Sequence, residues 1–253
     1  MRAWRRTPGS HLRPHPGPVP ETDPAPALGG KSGTLRAAIF GVNDGLVSNL
    51  ALIMGMAGSG VGNRVVVLAG VAGLLAGAFS MAAGEYVSMR VQKEVFERLI
   101  HVEAHEIGSD PEGEMRELSH LFREKGLPDD IASEAARSLM ADPETALETH
   151  AKEELGLDPE DLGSPIGAAT SSFLTFGGGA LVPLLPYFLA EGAGAAWIAV
   201  GLSLGALFAV GASMSVFTAR PWVLSGSRQL LIGSAAALVT YLVGSLLGIG
   251  ATG

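Results

Sequence analysis

A carboxylate lies inside a stretch of sequence that is apolar enough to cross a bilayer. Asp44 lies roughly 12 Å along a helix from Arg36, the nearest flanking base. An ionisable group at that depth is costly unless it faces a cavity, a partner or a proton. Two interpretations are open: a functional carboxylate, or one paired structurally with Asn43, Ser48 or Asn49. The depth of the residue favours function.

A second apolar stretch carries another carboxylate between two methionines. Met81, Glu85 and Met89 are spaced i, i+4 and i+8, so they share one face of a helix. Met81 lies about 13 Å from Arg90, a depth that matches Asp44. A carboxylate with a thioether suits a borderline transition metal better than Mg²⁺ or Ca²⁺, which prefer oxygen ligands. Methionine usually serves packing alone, and Met89 is the weaker candidate. The pattern predicts translocation residues, namely Asp44, Met81 and Glu85.

Between the second and third apolar stretches, ligand-type residues recur in pairs at helical spacing. The pairs are Glu103 with Glu106, Glu114 with Glu117, and His150 with Glu154. Residues three or four apart are neighbours on a helix surface. Each pair alone is typical of a solvated helix face. Together they give three helices that each offer metal ligands, and they predict one shared metal site made of these six residues.

Other histidine motifs in the chain are incomplete. Glu117-Leu-Ser-His120 matches the Glu-x-x-His pattern of di-iron bundles, but such a site needs two of these motifs and two further glutamates on four long helices. His101 and His105 are four apart, yet the sequence between them is not that of a zinc protease. These residues give little support to an oxidase or a protease.

Composition separates the chain into an apolar, basic frame and an acidic insert. The 253 residues are 47% hydrophobic and only 17% charged, against about 25% charged in soluble domains. Residues 91–163 hold 20 of the 25 acids and 7 of the 17 bases. An acidic insert argues for cationic partners and against nucleic acid. The absence of cysteine excludes thiolate ligands.

Five apolar stretches are each long enough to cross a bilayer, at about 20 residues. They run near 35–57, 65–89, 165–190, 195–218 and 228–249. Basic residues flanking spans prefer the cytoplasm. We therefore predict a cytoplasmic N-terminus and insert, and an external C-terminus. The predicted domains are a disordered tail (1–33), membrane helices one and two (34–90), a cytoplasmic helical metal-binding domain (91–163) and membrane helices three to five (164–253).

Helix start and stop signals divide the insert. The second span has no proline between 65 and 107, so its helix should continue out of the membrane to Gly108. Ser109 or Asp110 can cap a helix that ends at Gly126. A second helix should start at Pro128, and a third should cover about 143–155. The predicted fold is therefore all-α, with a three-helix insert between membrane helices two and three.

Four segments resemble the vacuolar iron transporter family, over roughly 33–250. They are FGVNDGLVSNL, SMAAGEYVSMRVQKE, EELGLDPEDLGSP and AATSSFLTFGGGALVPLLPYFL. The resemblance implies five membrane helices, a homodimer, a cytoplasmic metal-binding insert, and export of Fe²⁺, often also Mn²⁺, in exchange for protons. It places the family's membrane Asp and Met on Asp44 and Met81.

The family's cytoplasmic acids fall on five of the predicted ligands: Glu103, Glu106, Glu114, Glu117 and Glu154. One position departs, because His150 stands where some relatives have Met. Imidazole still binds metal, but its softness and pH dependence differ from those of a thioether.

Our prediction is a proton-coupled antiporter that exports Fe²⁺, or Mn²⁺, Co²⁺ or Zn²⁺, with no catalytic chemistry and no tightly bound cofactor. Metal ions, protons, lipid and a second copy of the chain are its expected partners. The Ala- and Gly-rich composition and the lack of a targeting segment favour a bacterial plasma membrane. The alternatives are a membrane-anchored di-iron ferroxidase and a metal sensor, although a sensor leaves Asp44 unexplained.

Overall fold

The computed structural model describes residues 30–215 and 220–251, and all regular structure in those ranges is helical. The helices are α1 (Gly30–Gly58), α2 (Asn63–Ser109), α3 (Pro111–Glu124), α4 (Asp129–Leu139), α5 (Pro143–Glu153), α6 (Pro165–Leu189), α7 (Gly192–Ser213) and α8 (Trp222–Ala251). Five of them, α1, α2, α6, α7 and α8, are long and apolar enough to cross a membrane. This confirms the predicted all-α fold with five apolar spans.

The ends of the spans differ from the predictions by a few residues. Helix α1 begins at Gly30, so the last four residues of the predicted tail are helical, and residues 1–29 lie outside the described part. Helix α8 begins directly after Pro221, six residues before the predicted start. The predicted end of the fourth span, 214–218, falls largely on residues outside the described ranges.

Helix α6 occupies the centre of the membrane part, where it packs mainly against α1 and α2. Glycines let the α1 and α6 backbones meet. A Cβ added at Gly45 would overlap the Phe176 carbonyl, and one at Gly179 would overlap the Val42 carbonyl. Small residues at such contacts are typical of membrane helices, which gain their stability from close packing rather than from a hydrophobic driving force. The contact fixes α1 relative to α6.

Helix α2 is much longer than a membrane span. Its 47 residues extend over roughly 70 Å, against about 30 Å of bilayer hydrocarbon. The second half therefore projects beyond the spans, as the absence of proline predicted. Helices α3 and α5 pack against this extension, and α4 packs on α3.

Two of the short helices start where a side chain accepts a hydrogen bond from a free backbone amide of the first turn. Asp110 caps α3 by accepting a hydrogen bond from the Gly113 amide at 3.0 Å. Asp142 caps α5 by accepting from the Thr145 amide at 2.9 Å. Gly126, with φ of 96°, adopts the left-handed conformation that follows α3. These local signals position the two helices that carry Glu114 and His150.

Candidate metal sites

A cavity of about 320 Å³ opens between α1, α2 and α6 within the membrane part. Its lining includes both Asp44 from α1 and Met81 from α2. The other lining residues are Ser48, Asn49, Leu52, Gly73, Gly77, Ser80 and Phe176. The structure thus brings together the carboxylate and the thioether that lie 37 positions apart in the sequence.

Neither Ser48 nor Asn49 forms a hydrogen bond with the Asp44 carboxylate. Ser48 Oγ donates to the Asp44 backbone carbonyl at 2.6 Å, not to the carboxylate. The Asn49 amide donates instead to the Ala180 carbonyl of α6. Within residues 30–215 and 220–251, the Asp44 carboxylate has no hydrogen bond or ion pair, and the residue is exposed on the single chain. A carboxylate left open in this way can accept a cation or a proton.

Met81 has two roles in the structure. Its side chain packs against the cluster of Ala78, Phe176 and Ala180, and it also lines the cavity beside Asp44. Thioether sulfur is a soft ligand that suits transition metals better than alkaline-earth ions. The geometry is therefore compatible with Met81 contacting a metal without leaving its packed position.

Glu85 lies one helical turn from Met81 but outside the cavity lining. Its Oε2 atom is 3.9 Å from Nη2 of Arg36, a base near the start of α1. The Glu85 side chain is 19% exposed and that of Arg36 is 55% exposed. Met89, a further turn along, is buried against Ala37 and Ala168. The three residues predicted to share one ligand-bearing face thus have different surroundings. Met81 lines the cavity, Glu85 is paired with Arg36, and Met89 packs against its neighbours.

The second site lies on the projecting part of α2. Four ligand-type side chains converge there, from three helices: Glu103, Glu114, His150 and Glu154. One atom from each lies within 4.8 Å of those from all the others. His150 Nδ1 is 3.0 Å from Glu103 Oε1, 3.7 Å from Glu114 Oε2 and 3.4 Å from Glu154 Oε2. Three carboxylates around one imidazole form a set that can chelate a divalent transition metal.

Burial is graded across this cluster. His150 is fully buried and Glu103 nearly so, whereas the side chains of Glu114 and Glu154 are 14% and 31% exposed. The α3 and α5 helices are held together near the site by an ion pair between Lys125 and Glu153. The four side chains therefore already converge without metal, and Glu154 is the most exposed of them.

Two members of the cluster, Glu114 and His150, have raised pKa values. Burial, followed by the charges of Glu103 and Glu117, raises the pKa of Glu114 to about 7. Burial alone would lower the pKa of His150, but hydrogen bonds and charges from the surrounding carboxylates outweigh it and raise that pKa to about 9. In the absence of metal, protons supply the positive charge that the buried acids need. A metal ion can replace those protons.

Two predicted ligands lie at the rim rather than in the cluster. Glu106 and Glu117 are both exposed, and neither belongs to the converging set. Burial and the charge of Glu154 raise the pKa of Glu117, so it is electrostatically linked to the site. The His120 side chain is exposed, and its Nδ1 atom lies 3.5 Å from Oε1 of Glu124. Among the described residues, neither Glu117 nor His120 of the Glu-x-x-His motif belongs to the converging set.

Sequence reasoning missed three residues of the membrane region. The sequence marks Arg36 only as a flanking base and Asn49 only as a possible structural partner of Asp44, and it assigns no role to Phe176. A polar amide inside an apolar span was an available signal for Asn49, because such a group must find a partner. Nothing in the local sequence pointed to the pairing of Arg36 with Glu85.

The region of the chain that a protein-family model matches includes the residues of both sites. The family model described as "VIT family" matches residues 35–245. The chain is 36% identical over 226 residues to the vacuolar iron transporter of Acanthamoeba castellanii, covering 86% of this chain and 80% of that protein. It is 32% identical over 208 residues to vacuolar iron transporter 1 of Tulipa gesneriana, covering 82% and 84%. The same identity and length hold for vacuolar iron transporter 1 of Oryza sativa subsp. japonica, at 82% of each chain.

Proposed function

The chain belongs to the VIT family, and from this membership and its two sites we propose that it exports divalent transition metal from the cytoplasm in exchange for protons. The relatives are transporters by name, in agreement with the prediction that the chain is not an enzyme. The observation that carries the proposal is the membrane cavity shared by Asp44 and Met81. It offers a metal two ligands inside a region where ionisable groups are rare.

The insert captures metal and the cavity translocates it. From Glu103 to Met81 the α2 helix covers roughly 33 Å, so the two sites belong to different stages of one route. The four-ligand cluster on the α2 extension suits capture at low concentration, since it is preformed and acidic. The cavity provides one carboxylate and one thioether, a weaker set from which metal can leave.

Fe²⁺ is the substrate we propose, with Mn²⁺, Co²⁺ and Zn²⁺ as further candidates. The relatives' names specify iron. Imidazole, carboxylate and thioether ligands bind all four ions, and affinity at such sites follows a general order in which Zn²⁺ exceeds Fe²⁺ and Mn²⁺. Selection among them therefore depends on geometry and on which metal is available in the cell.

Coupling to protons follows from ligand chemistry. A carboxylate must lose its proton before it can bind metal. Metal arriving from the cytoplasm would displace a proton from Asp44, and a proton from the outer side would displace the metal. Glu85 adds a second exchangeable carboxylate near the cytoplasmic mouth, where the metal would compete with Arg36. This competition at shared carboxylates is sufficient for antiport.

A second copy of the chain would complete the route. On one chain, Asp44 is exposed although it lies within an apolar span. Beyond the membrane, α2 also displays an apolar stripe of residues that are each at least 40% exposed: Val91, Val95, Leu99 and Val102. A homodimer that pairs these surfaces would cover the stripe and shield Asp44 from lipid. Since the chain has no native cysteine, Val95→Cys should cross-link two copies, and no cross-linking would contradict this arrangement.

The proposed orientation puts the insert in the cytoplasm and the α6–α7 connection outside. Two exposed positions that belong to neither site report on it: His120 in α3 and Glu191 before α7. An impermeant thiol reagent applied from outside should label Glu191→Cys but not His120→Cys. The reverse pattern would contradict the orientation.

Transport itself is tested with the purified full chain in proteoliposomes. A metal-sensitive dye inside the vesicles reports uptake from a panel of Fe²⁺, Mn²⁺, Co²⁺ and Zn²⁺, with and without an imposed pH gradient. We expect uptake that the gradient accelerates in the direction of antiport. No metal uptake would contradict a transporter, and uptake indifferent to the gradient would indicate a channel. Stopped-flow oxidation of Fe²⁺ by the same protein would indicate the ferroxidase alternative instead.

A further inference from the structure

We propose that Asn49 supplies a third ligand for the metal in the membrane cavity, through its side-chain oxygen Oδ1. This inference rests on the proposed transport function and extends it to a residue that also influences which metal is carried. Asn49 lines the same cavity as Asp44 and Met81, and it is only 2% exposed.

One hydrogen bond fixes the orientation of the Asn49 amide. Nδ2 donates to the Ala180 carbonyl of α6 at 2.6 Å. The reverse orientation would set the Asn49 oxygen against another carbonyl oxygen, two acceptors with no proton between them. Nδ2 is therefore hydrogen-bonded to α6, and Oδ1 is the atom of the amide that can bind a metal ion.

The oxygen has no partner of its own. Oδ1 is buried and accepts no hydrogen bond within the part of the chain that the structure describes. Buried polar atoms are normally paired, and an unpaired one calls for a specific explanation. Gly73, another cavity residue, faces this atom: a Cβ added at Gly73 would lie 3.2 Å from Oδ1. The glycine leaves space beside the oxygen, on the side of the cavity.

An amide oxygen changes the chemistry of the cavity in a defined way. It is a hard, neutral ligand, so it adds affinity without adding charge or a second proton-binding group. Together with the Asp44 carboxylate it offsets the softness of the Met81 thioether. Carboxylate and carbonyl oxygens favour Mn²⁺ relative to softer ions. Loss of Oδ1 should therefore impair Mn²⁺ more than Co²⁺, for which the Met81 sulfur is the better remaining ligand.

The rival role for Asn49 is to clamp α1 to α6, and the chain provides a matched control for it. Asn63 also donates through Nδ2 to an α6 carbonyl, that of Tyr187, at 2.9 Å. Its Oδ1 is likewise unpartnered among the described residues. Asn63 lines a different, apolar cavity of about 590 Å³ together with Trp197 and Tyr241. It shares the clamp geometry and lacks the metal-binding neighbours.

The test compares the full-length wild type, Asn49→Leu, Asn49→Asp and Asn63→Leu in proteoliposomes, with KM and maximal rate measured for Mn²⁺ and Co²⁺ and with thermal unfolding as a control for folding. Asn49→Leu keeps the approximate volume and removes both amide functions. Asn49→Asp keeps an oxygen, and in the ionised form that a metal ligand requires it cannot donate to Ala180. We expect Asn49→Leu to raise the KM for Mn²⁺ about tenfold, with a smaller change for Co²⁺. Asn49→Asp should stay close to wild type, and Asn63→Leu should alter the unfolding temperature alone.

The outcomes separate this inference from the function on which it rests. If the wild type takes up no metal, the transporter proposal fails. If the wild type transports and Asn49→Leu resembles Asn63→Leu in both KM values, Asn49 is not a ligand. Equal loss in Asn49→Leu and Asn49→Asp would assign it to the clamp. If Asn49→Leu does not fold, the KM of a folded Asn49→Asp for Mn²⁺ distinguishes the two roles. A KM near the wild-type value supports a ligand oxygen. A clearly raised KM supports a role in holding α1 against α6.

Discussion

The insert cluster and the membrane cavity both contain carboxylates, but they arrange them differently. In the insert, Glu103, Glu114 and Glu154 converge on a buried histidine within hydrogen-bond or ion-pair distances. In the cavity, Asp44 makes no such contact within the described ranges and shares its space with Met81. A converging, acidic set favours tight binding, whereas one open carboxylate with a soft ligand favours exchange. On the proposed function, this difference would assign metal capture to the insert cluster and metal release to the cavity between α1, α2 and α6.

The largest expected effect is loss of transport on Asp44→Asn. The substitution preserves the size of the side chain but removes the exchangeable proton and the full negative charge. We expect proteoliposome uptake to fall below detection, because even loss of a group that only supports a metal ligand typically costs about 10–100-fold. Metal binding to the insert, measured by calorimetry on the same full-length variant, should be unchanged. Normal uptake by Asp44→Asn would refute the assignment of the cavity.

The next effect separates the insert's core from its rim. Glu103→Ala with Glu114→Ala removes two converging ligands, and we expect metal affinity to fall at least about tenfold. Glu106→Ala with Glu117→Ala removes the same number of charges from exposed positions and should weaken binding only a few-fold, through lost attraction. Calorimetry on both double variants makes the comparison. Equal losses would show that all four glutamates bind the metal alike, as the sequence pattern alone predicted.

An intermediate effect concerns pH, and it arises from the raised pKa values in the insert. For His150, with a pKa of about 9 against 6.5 ordinarily, the stabilisation of the metal-free fold is complete below about pH 6.5 and is lost as pH rises through 9. For Glu114, with a pKa of about 7 against 4.5, the fold is progressively penalised as pH rises from 4.5 to 7. Both shifts therefore make the metal-free insert less stable at higher pH.

Metal should reverse this trend, because it replaces the lost protons. We expect the rise in unfolding temperature on adding Mn²⁺ to the full-length protein to increase between pH 6 and pH 9, since binding is linked to proton release. Differential scanning fluorimetry at three pH values would measure it. A metal-induced stabilisation that shrinks as pH rises would contradict the ligand assignment.

The smallest expected effect is that of Met81→Leu. Leucine fills a similar volume, so the packing of Met81 against Phe176 should survive. Loss of the sulfur should raise the KM for metal a few-fold, more for Co²⁺ than for Mn²⁺ because thioether is the soft ligand. The proton-exchanging carboxylate is untouched. An unchanged KM would assign Met81 to packing alone.

Local sequence signals predicted the helices well and the contacts between them poorly. Asp110, Asp142 and Gly126 act on the backbone nearest to them, so the bounds of α3 and α5 could be derived from the sequence. Hydropathy similarly reveals the spans, because lipid demands apolar length. These features depend on neighbours within a few residues.

Which of the predicted ligands converge depends instead on contacts between helices that are far apart in the sequence. Glu103 and Glu106 are equivalent by spacing, yet only Glu103 is turned towards α3 and α5 and buried there. The ion pair of Arg36 with Glu85 depends on how α1 lies against α2. Asn49 owes its orientation to a carbonyl 131 residues away. Sequence periodicity defines a helix face but does not say which neighbouring helix meets it.

Exchange of metal for protons at Asp44 is tested most directly by recording both fluxes from one population of vesicles. Proteoliposomes with the full chain would carry a metal-sensitive dye and a pH-sensitive dye together. We predict that metal entry and proton exit start together, keep a constant ratio across metal concentrations, and both disappear in Asp44→Asn. Metal entry without proton movement, or coupled fluxes that persist in Asp44→Asn, would contradict it.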